Sequence, residues 1–149
     1  IAWAMLTYMS YNLFCFICSY SLSQIINSNM QLLIIPCIMM VLLDLVLDPI
    51  AVDEKRWEWN IKGPYYGVPL LNFFGWFINC FIIWIFFSYS FIPFKTSYND
   101  VEILTYIPGL IFIFIHLAAS RPCFERKLKF PGYLAIFLTI IYIGIMINK

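Results

Sequence analysis

Asp44 and Asp48 stand four residues apart near the end of one apolar run, and Asn72 stands near the start of the next. His116, the only histidine, lies in a later run. Side chains at i and i+4 are neighbours on a helix, so the two carboxyls share one face. An ionisable residue at the centre of a membrane helix costs about 2.5 to 3.5 kcal/mol, and less toward the interface. Two like charges this close in an apolar medium are not expected to ionise together, so one carboxyl should hold a proton. A carboxylic acid kept neutral in such a setting is a proton donor. The pair is therefore suited to general acid chemistry, with the Asn72 amide and the His116 imidazole available to hold water.

Each residue also has a plainer role. Asp48 could simply end its helix before Pro49 and reach toward water. A histidine on an apolar helix is more often a hydrogen-bonded structural group than a catalyst. One histidine and two aspartates on separate runs show no diagnostic metal-ligand spacing, and no metal is expected. Asp53, Glu54, Lys55 and Arg56 read as a solvated loop. Cys15, Cys18, Cys37 and Cys80 fall inside apolar runs, and Cys123 falls in a basic loop. The C-x-x-C of Cys15 and Cys18 lacks the βαβ context of a redox motif and reads as packing.

The elements that carry these residues belong in a membrane. Of the 149 residues, 63% are hydrophobic and only 11% are charged, with a mean hydropathy of +0.87. Soluble domains carry about 25% charge. A net charge of +1 implies no nucleic-acid partner, and the length fits one domain. A hydrocarbon core of about 30 Å needs roughly 20 apolar residues per helix. Five runs qualify, 1–22, 32–50, 70–94, 101–119 and 133–148, the third long enough to tilt and the last short. Strand-period alternation is absent, and lipid tolerates only helices or closed barrels. The expected fold is all-α, a polytopic transmembrane helix bundle forming one integral membrane domain. The chain opens on Ile1, already inside an apolar run with no charged stretch before it. That is not a signal-peptide pattern, and a preceding N-terminal part is expected.

Positive charge sets the orientation. Five spans put residues 51–69 and 120–132 on one side, with Lys55, Arg56, Lys62, Arg121, Arg126, Lys127 and Lys129, seven of the nine basic residues. Only Lys95 and Lys149 fall on the other side. Both basic loops are thus expected in the cytoplasm, with Asp44, Asp48, Asn72 and His116 level in the inner half of the bilayer. Trp57, Trp59, Tyr65 and Tyr66 are crowded among Gly63, Pro64, Gly67 and Pro69. An aromatic belt at the membrane interface would be the common role. The glycines and prolines exclude a regular helix, yet the stretch is too aromatic for a solvated loop. A partly buried, re-entrant cover over the polar residues is expected.

The ordered elements D-x-x-x-D-P-[IV]-A, W-x-W, G-x-[YF]-[YF]-G-[VI]-P and N-[FY]-x-G-W occur here. They are Asp44, Asp48, Pro49 and Ala51; Trp57 and Trp59; Gly63, Tyr65, Tyr66, Gly67 and Pro69; and Asn72, Gly75 and Trp76. This order resembles the membrane carotenoid biosynthesis proteins that include the CruF-type carotenoid 1,2-hydratases. The match is densest over 44–76, and the flanking spans agree only in hydropathy. The resemblance implies hydration of the terminal C1=C2 bond of an acyclic carotenoid, as in the making of bacterioruberin-like or myxoxanthophyll-like pigments, in a prokaryotic cell membrane. Its partners would be membrane lipid, a long acyclic carotenoid and water. Such a reaction needs no cofactor, and no motif for one occurs.

On this reading Asp44, Asp48, Asn72 and His116 are the candidate catalytic residues. Trp57, Trp59, Tyr65, Tyr66 and Trp76 are the candidate substrate contacts, since an aromatic face can favour a cation by about 2 kcal/mol when desolvated. The main alternative is a non-catalytic membrane protein such as a small proton-linked transporter subunit. Matching broken helices in two halves would favour transport, and no internal repeat is visible. The lack of histidine clusters argues against a di-iron desaturase. The expected arrangement is Asp44, Asp48, Asn72 and His116 converging on one cavity roofed by Trp59 and Tyr66.

Overall fold

The computed structural model describes residues 2–18, 33–91 and 107–148. It is all-helical, with five helices and no strand among the described residues: α1 (Ala2–Cys18), α2 (Ile34–Asp53), α3 (Leu70–Phe91), α4 (Ile107–Glu125) and α5 (Lys129–Ile147). Helices α2, α4 and α5 are each long and apolar enough to cross a membrane, and α1 and α3 carry shorter apolar stretches, Trp3–Cys18 and Leu70–Phe86. Large apolar side chains cover the outside as well as the core, and a few polar groups lie within. Leu71, Phe74, Phe86, Phe114, Phe137, Ile140 and Ile147 point outward, while Asp44, Asp48 and His116 are buried. That distribution fits lipid outside and a polar-containing interior, because polar groups in a bilayer must find partners within the protein.

The chain forms two compact units, Ile1–Met40 with Phe77–Phe112, and Val41–Trp76 with Ile113–Lys149. In the first, Tyr11 of α1 stacks on Trp84 of α3 with ring centroids 3.8 Å apart. Thr7 meets Cys80 at 3.4 Å between Oγ1 and Sγ. Gly109 of α4 lies against the α1 backbone, where an added Cβ would stand 3.1 Å from Leu13 Cα. In the second, Val46 and Ile50 of α2, Ala119 and Cys123 of α4, and Leu128 with Ala135 of α5 close an apolar core. Between helices in lipid such a core is held by van der Waals packing rather than by transfer from water.

Two helix ends lie beyond the limits expected from hydropathy. The run expected to stop at 50 continues as α2 to Asp53, passing through Pro49. The run expected to stop at 119 continues as α4 to Glu125, passing through Pro122. Since α5 begins at Lys129, the loop expected over 120–132 is a three-residue turn, Arg126 to Leu128. Residues 1, 19–22, 32, 92–94 and 101–106 of the expected spans, with Lys95 and Lys149, lie outside the described residues.

Both helices end in the same way. After α2, Arg56 N donates to Ala51 O at 2.9 Å and Lys55 N to Val52 O at 3.0 Å. After α4, Leu128 N donates to Cys123 O at 2.8 Å and Lys127 N to Phe124 O at 3.1 Å. These are Schellman motifs, whose C′ residue adopts a left-handed conformation and is usually glycine. Here lysine occupies both C′ positions, Lys55 at φ 54 and Lys127 at φ 61. Cations near the carbonyl end of a helix also meet its negative pole. Arg126 then joins the two ends, with Nη1 2.7 Å from Asp53 Oδ2 and Nη2 2.7 Å from Glu54 Oε1.

The left-handed requirement yields a test. Lys127→Val should lower stability, because a β-branched residue is more strained than lysine at positive φ, whereas Lys127→Gly should be neutral or better. Thermal unfolding in detergent micelles reads the difference, and equal melting of the two variants would contradict it.

Candidate functional site

Asp44 and Asp48 occupy successive turns of α2 and are each 2% exposed. Asn72 enters from the first turn of α3, where its own N–H caps back to Pro69 O at 3.0 Å. Its Nδ2 donates to Asp44 Oδ2 at 3.0 Å and also to Asp48 Oδ2. One amide nitrogen thus uses both of its hydrogens on two carboxyl groups. An interhelical hydrogen bond in a membrane is worth on average about 0.6 kcal/mol, so the pair of bonds fixes geometry more than it adds stability. Trp76 lies at i+4 from Asn72 on α3 and is half-buried.

The aromatic segment folds against the same turn of α2. Pro49 has no N–H, so within the helix it leaves the carbonyl of Leu45, four residues earlier, without its usual partner. The Tyr65 hydroxyl donates to that carbonyl at 2.8 Å. Leu45 follows Asp44 and Pro49 follows Asp48, so this bond lies between the two acids along the helix. Burial raises the Tyr65 phenol above its ordinary value, reinforced by Tyr66 and Cys123, which keeps it protonated as a donor. The Tyr65 ring packs edge-on against Tyr66, Phe73 and Phe130 at centroid distances of 5.1, 5.5 and 6.2 Å.

A tight turn presents Tyr65. Gly63 N donates to Gly67 O at 3.0 Å and Val68 N to Tyr65 O at 2.8 Å. Tyr66 and Gly67 both have positive φ, 50 and 87. A Cβ on Gly63 would stand 2.0 Å from Val68 O, so only glycine fits there. Val68 of this segment is fully buried, and the indole nitrogen of Trp59 is enclosed with no hydrogen-bond partner among the described residues.

The other candidates have their own surroundings. His116 is fully buried in α4 with its ring edge-on to Tyr142 of α5, 5.6 Å between centroids. The carboxyl–amide trio itself is built from α2 and α3. Tyr66 is 40% exposed and Trp57 44% exposed. Trp57 lines an open cleft of about 390 Å³ between α2 and α4, with Leu47, Ala51, Phe114, Ala118 and Pro122 among its walls. Ala51 continues the face of Asp44 and Asp48, at i+7 and i+3. No group of three or more potential metal-ligating residues occurs among the described residues.

Sequence reasoning missed the Tyr65–Leu45 bond. Its signal was present: a proline inside an apolar helix, followed within one loop by aromatic hydroxyls. Reading Pro49 as the end of a helix hid the free carbonyl.

A helical protein with apolar helices long enough to cross a membrane, a buried carboxyl pair and an aromatic turn packed beside it is the class that fold and site define. The chain belongs to the carotenoid biosynthesis protein family, whose model matches residues 1–144. No curated protein and no solved structure matches it. Its place in carotenoid biosynthesis and its apolar helices together make it a membrane protein of that pathway.

The shared amide predicts strong coupling. Asn72→Ala should destabilise the protein by about 1–3 kcal/mol by leaving buried carboxyls without their donor. In an Asp44→Ala/Asp48→Ala background, where no acceptor remains for the amide, the same change should cost at least about 1 kcal/mol less. A double-mutant cycle on thermal unfolding in micelles measures this, and additive costs would contradict the shared contact.

Proposed function

We propose that the protein hydrates the terminal C1=C2 double bond of an acyclic carotenoid end, acting as a cofactor-independent carotenoid 1,2-hydratase. The observation that carries the reading is the buried pair Asp44 and Asp48 held by one Asn72 amide. A long polyene dissolves only in the bilayer, so an enzyme acting on its tip needs a polar group buried among membrane helices. Family membership supplies the pathway, and the acid pair supplies a chemistry that needs no redox partner.

One carboxyl, protonated, gives its proton to C2 of the trisubstituted alkene, and the π electrons form the new C–H bond. The positive charge is left on C1 as a tertiary cation. Water adds through its oxygen lone pair to C1, and the resulting oxonium loses a proton. The second carboxyl accepts that proton as a carboxylate, so the two acids exchange protonation states and the net change is alkene plus water to tertiary alcohol. Asp44 lies one turn further from the end of α2 and suits the donor role. Asp48, nearer that end, suits delivery of water, with Asn72 fixing both. Trp59 and Trp76 flank the cation, with an aromatic face worth about 2 kcal/mol when desolvated. His116 serves as a secondary polar group for water, and Trp57 and Tyr66 line the approach of the end group. The cleft of about 390 Å³ beside Ala51 falls within the size range of ligand pockets, about 300–1,000 Å³. Its apolar walls suit the carbons next to the reacting end.

Replacing either carboxyl by an amide keeps shape and removes the acid. General acid catalysis contributes about 10²–10⁴-fold, so Asp44→Asn and Asp48→Asn should each abolish detectable product while still inserting in membranes. Trp59→Phe should be milder. Mass spectrometry of pigments from cells supplied with an acyclic carotenoid pathway detects the product as a gain of one water. Wild-type yields from both aspartate variants would end the acid-pair mechanism.

The proposed orientation puts residues 51–69 and 120–132 in the cytoplasm. Cys123 is fully buried, so it makes a poor probe. Cysteines introduced as Lys62→Cys and Lys127→Cys at exposed positions should resist an impermeant thiol reagent in intact cells and react after permeabilisation. Reaction in intact cells would invert the topology.

A further inference from the structure

We infer that Tyr65 is a positioning residue for the acid pair, acting through the Leu45 carbonyl that Pro49 leaves free; the inference rests on the hydration reading above. Its hydroxyl meets Leu45 O at 2.8 Å. Its ring, half-buried, packs edge-on against Tyr66, Phe73 and Phe130. The hydroxyl is thus committed to the backbone of α2, and the ring to its aromatic neighbours, which distinguishes Tyr65 from a residue that presents its face to substrate.

The chemistry of the helix explains why such a group is needed. Proline inside an α-helix removes one i→i−4 hydrogen bond and crowds the carbonyl four residues back, the usual origin of a local bend. In α2 that carbonyl is the one of Leu45, the residue after Asp44, and the proline follows Asp48. The missing bond therefore falls within the turn that sets the spacing and direction of the two carboxyls. Asn72 constrains their far ends through Oδ2 of each, while Tyr65 constrains the backbone from which they project. In a bilayer no bulk water is present to satisfy the carbonyl, so its partner must come from the protein. The turn Gly63–Val68, with its paired backbone bonds and its two residues at positive φ, is the device that delivers a phenol there. The same contact docks the aromatic segment onto the helix that carries the acids, so the arrangement of the acids and the closure of the cover depend on one hydrogen bond.

Restoring the missing N–H is the decisive manipulation. In Pro49→Ala the new backbone N–H can bond Leu45 O itself, and Tyr65 becomes dispensable to the helix. Four proteins are compared at equal membrane-inserted amounts: wild type, Tyr65→Phe, Pro49→Ala, and the double variant. Two readouts are taken: hydrogen–deuterium exchange over residues 60–69 of the purified protein in micelles, and hydrated carotenoid formed in cells. With Pro49 present, Tyr65→Phe should speed exchange and lower product by about tenfold each. In the Pro49→Ala background, the same change should alter product by no more than about twofold.

Unchanged exchange and product in Tyr65→Phe overturn the proposal. So does an undiminished loss of product on adding Tyr65→Phe to Pro49→Ala, which would assign the hydroxyl to substrate. If Pro49→Ala alone forms no product, the exchange cycle decides. An effect of Tyr65→Phe as large in the Pro49→Ala background as with the proline present overturns the link to the proline, and a smaller one supports it. Absence of product from the wild type overturns the hydration reading, a result separate from the exchange measurement, which still reports whether the phenol holds the turn.

Discussion

The Asn72 amide is the constraint on which the rest of the site depends. Two carboxyl groups on adjacent turns of one apolar helix have little to bond with in a bilayer, and one nitrogen of α3 serves both. For that to happen, α3 must begin at the level where α2 ends. The connection from Glu54 to Pro69 must fold back rather than spread into solvent. The buried Val68, the glycine that no other residue can replace at 63 and the left-handed pair Tyr66–Gly67 are what that return demands.

The prolines and lysines near the ends of α2 and α4 do related work by different physics. Pro49 and Pro122 each interrupt the hydrogen-bond ladder of a helix without ending it. At Pro49 the freed carbonyl becomes the docking point of the aromatic turn. A few residues later, Lys55 and Lys127 end their helices in a conformation that ordinarily selects glycine. Each left-handed lysine costs about 1–2 kcal/mol in backbone terms. The favourable position of a cation at the helix carbonyl end offsets part of this cost, and Arg126 then ties the end of α2 to the turn before α5 through Asp53 and Glu54. These pairs are partly exposed, and a surface ion pair contributes about 0–1 kcal/mol. Their effect is more geometric than energetic.

A hydratase reading and a purely structural reading of Asp44 and Asp48 make opposite demands on the same atoms. A structural pair needs only satisfied oxygens. A catalytic pair needs the acids held in a defined spacing yet able to exchange a proton with substrate and water. Asn72 bonds only Oδ2 of each carboxyl, so the pair is restrained without every lone pair being occupied.

Much of this was legible in the amino-acid sequence, and the reason is hydropathy. Five long apolar runs with few charges leave only helices, and the i, i+4 spacing of Asp44 and Asp48 puts both acids on one face in any helix. Asn72, near the start of the next run, could be expected beside them because antiparallel neighbours meet at their shared end. Tertiary structure alone decided three things. It carried α2 through Pro49 and α4 through Pro122, because packing of Val46, Ile50, Ala119 and Cys123 against α5 outweighs one lost backbone bond in each helix. It set His116 against Tyr142 of α5, a pairing of distant residues that hydropathy cannot specify. It also turned Tyr65 toward a backbone oxygen rather than an open pocket, because whether a free carbonyl exists, and which side chain reaches it, depends on the path of the chain in three dimensions and not on the composition of any one segment.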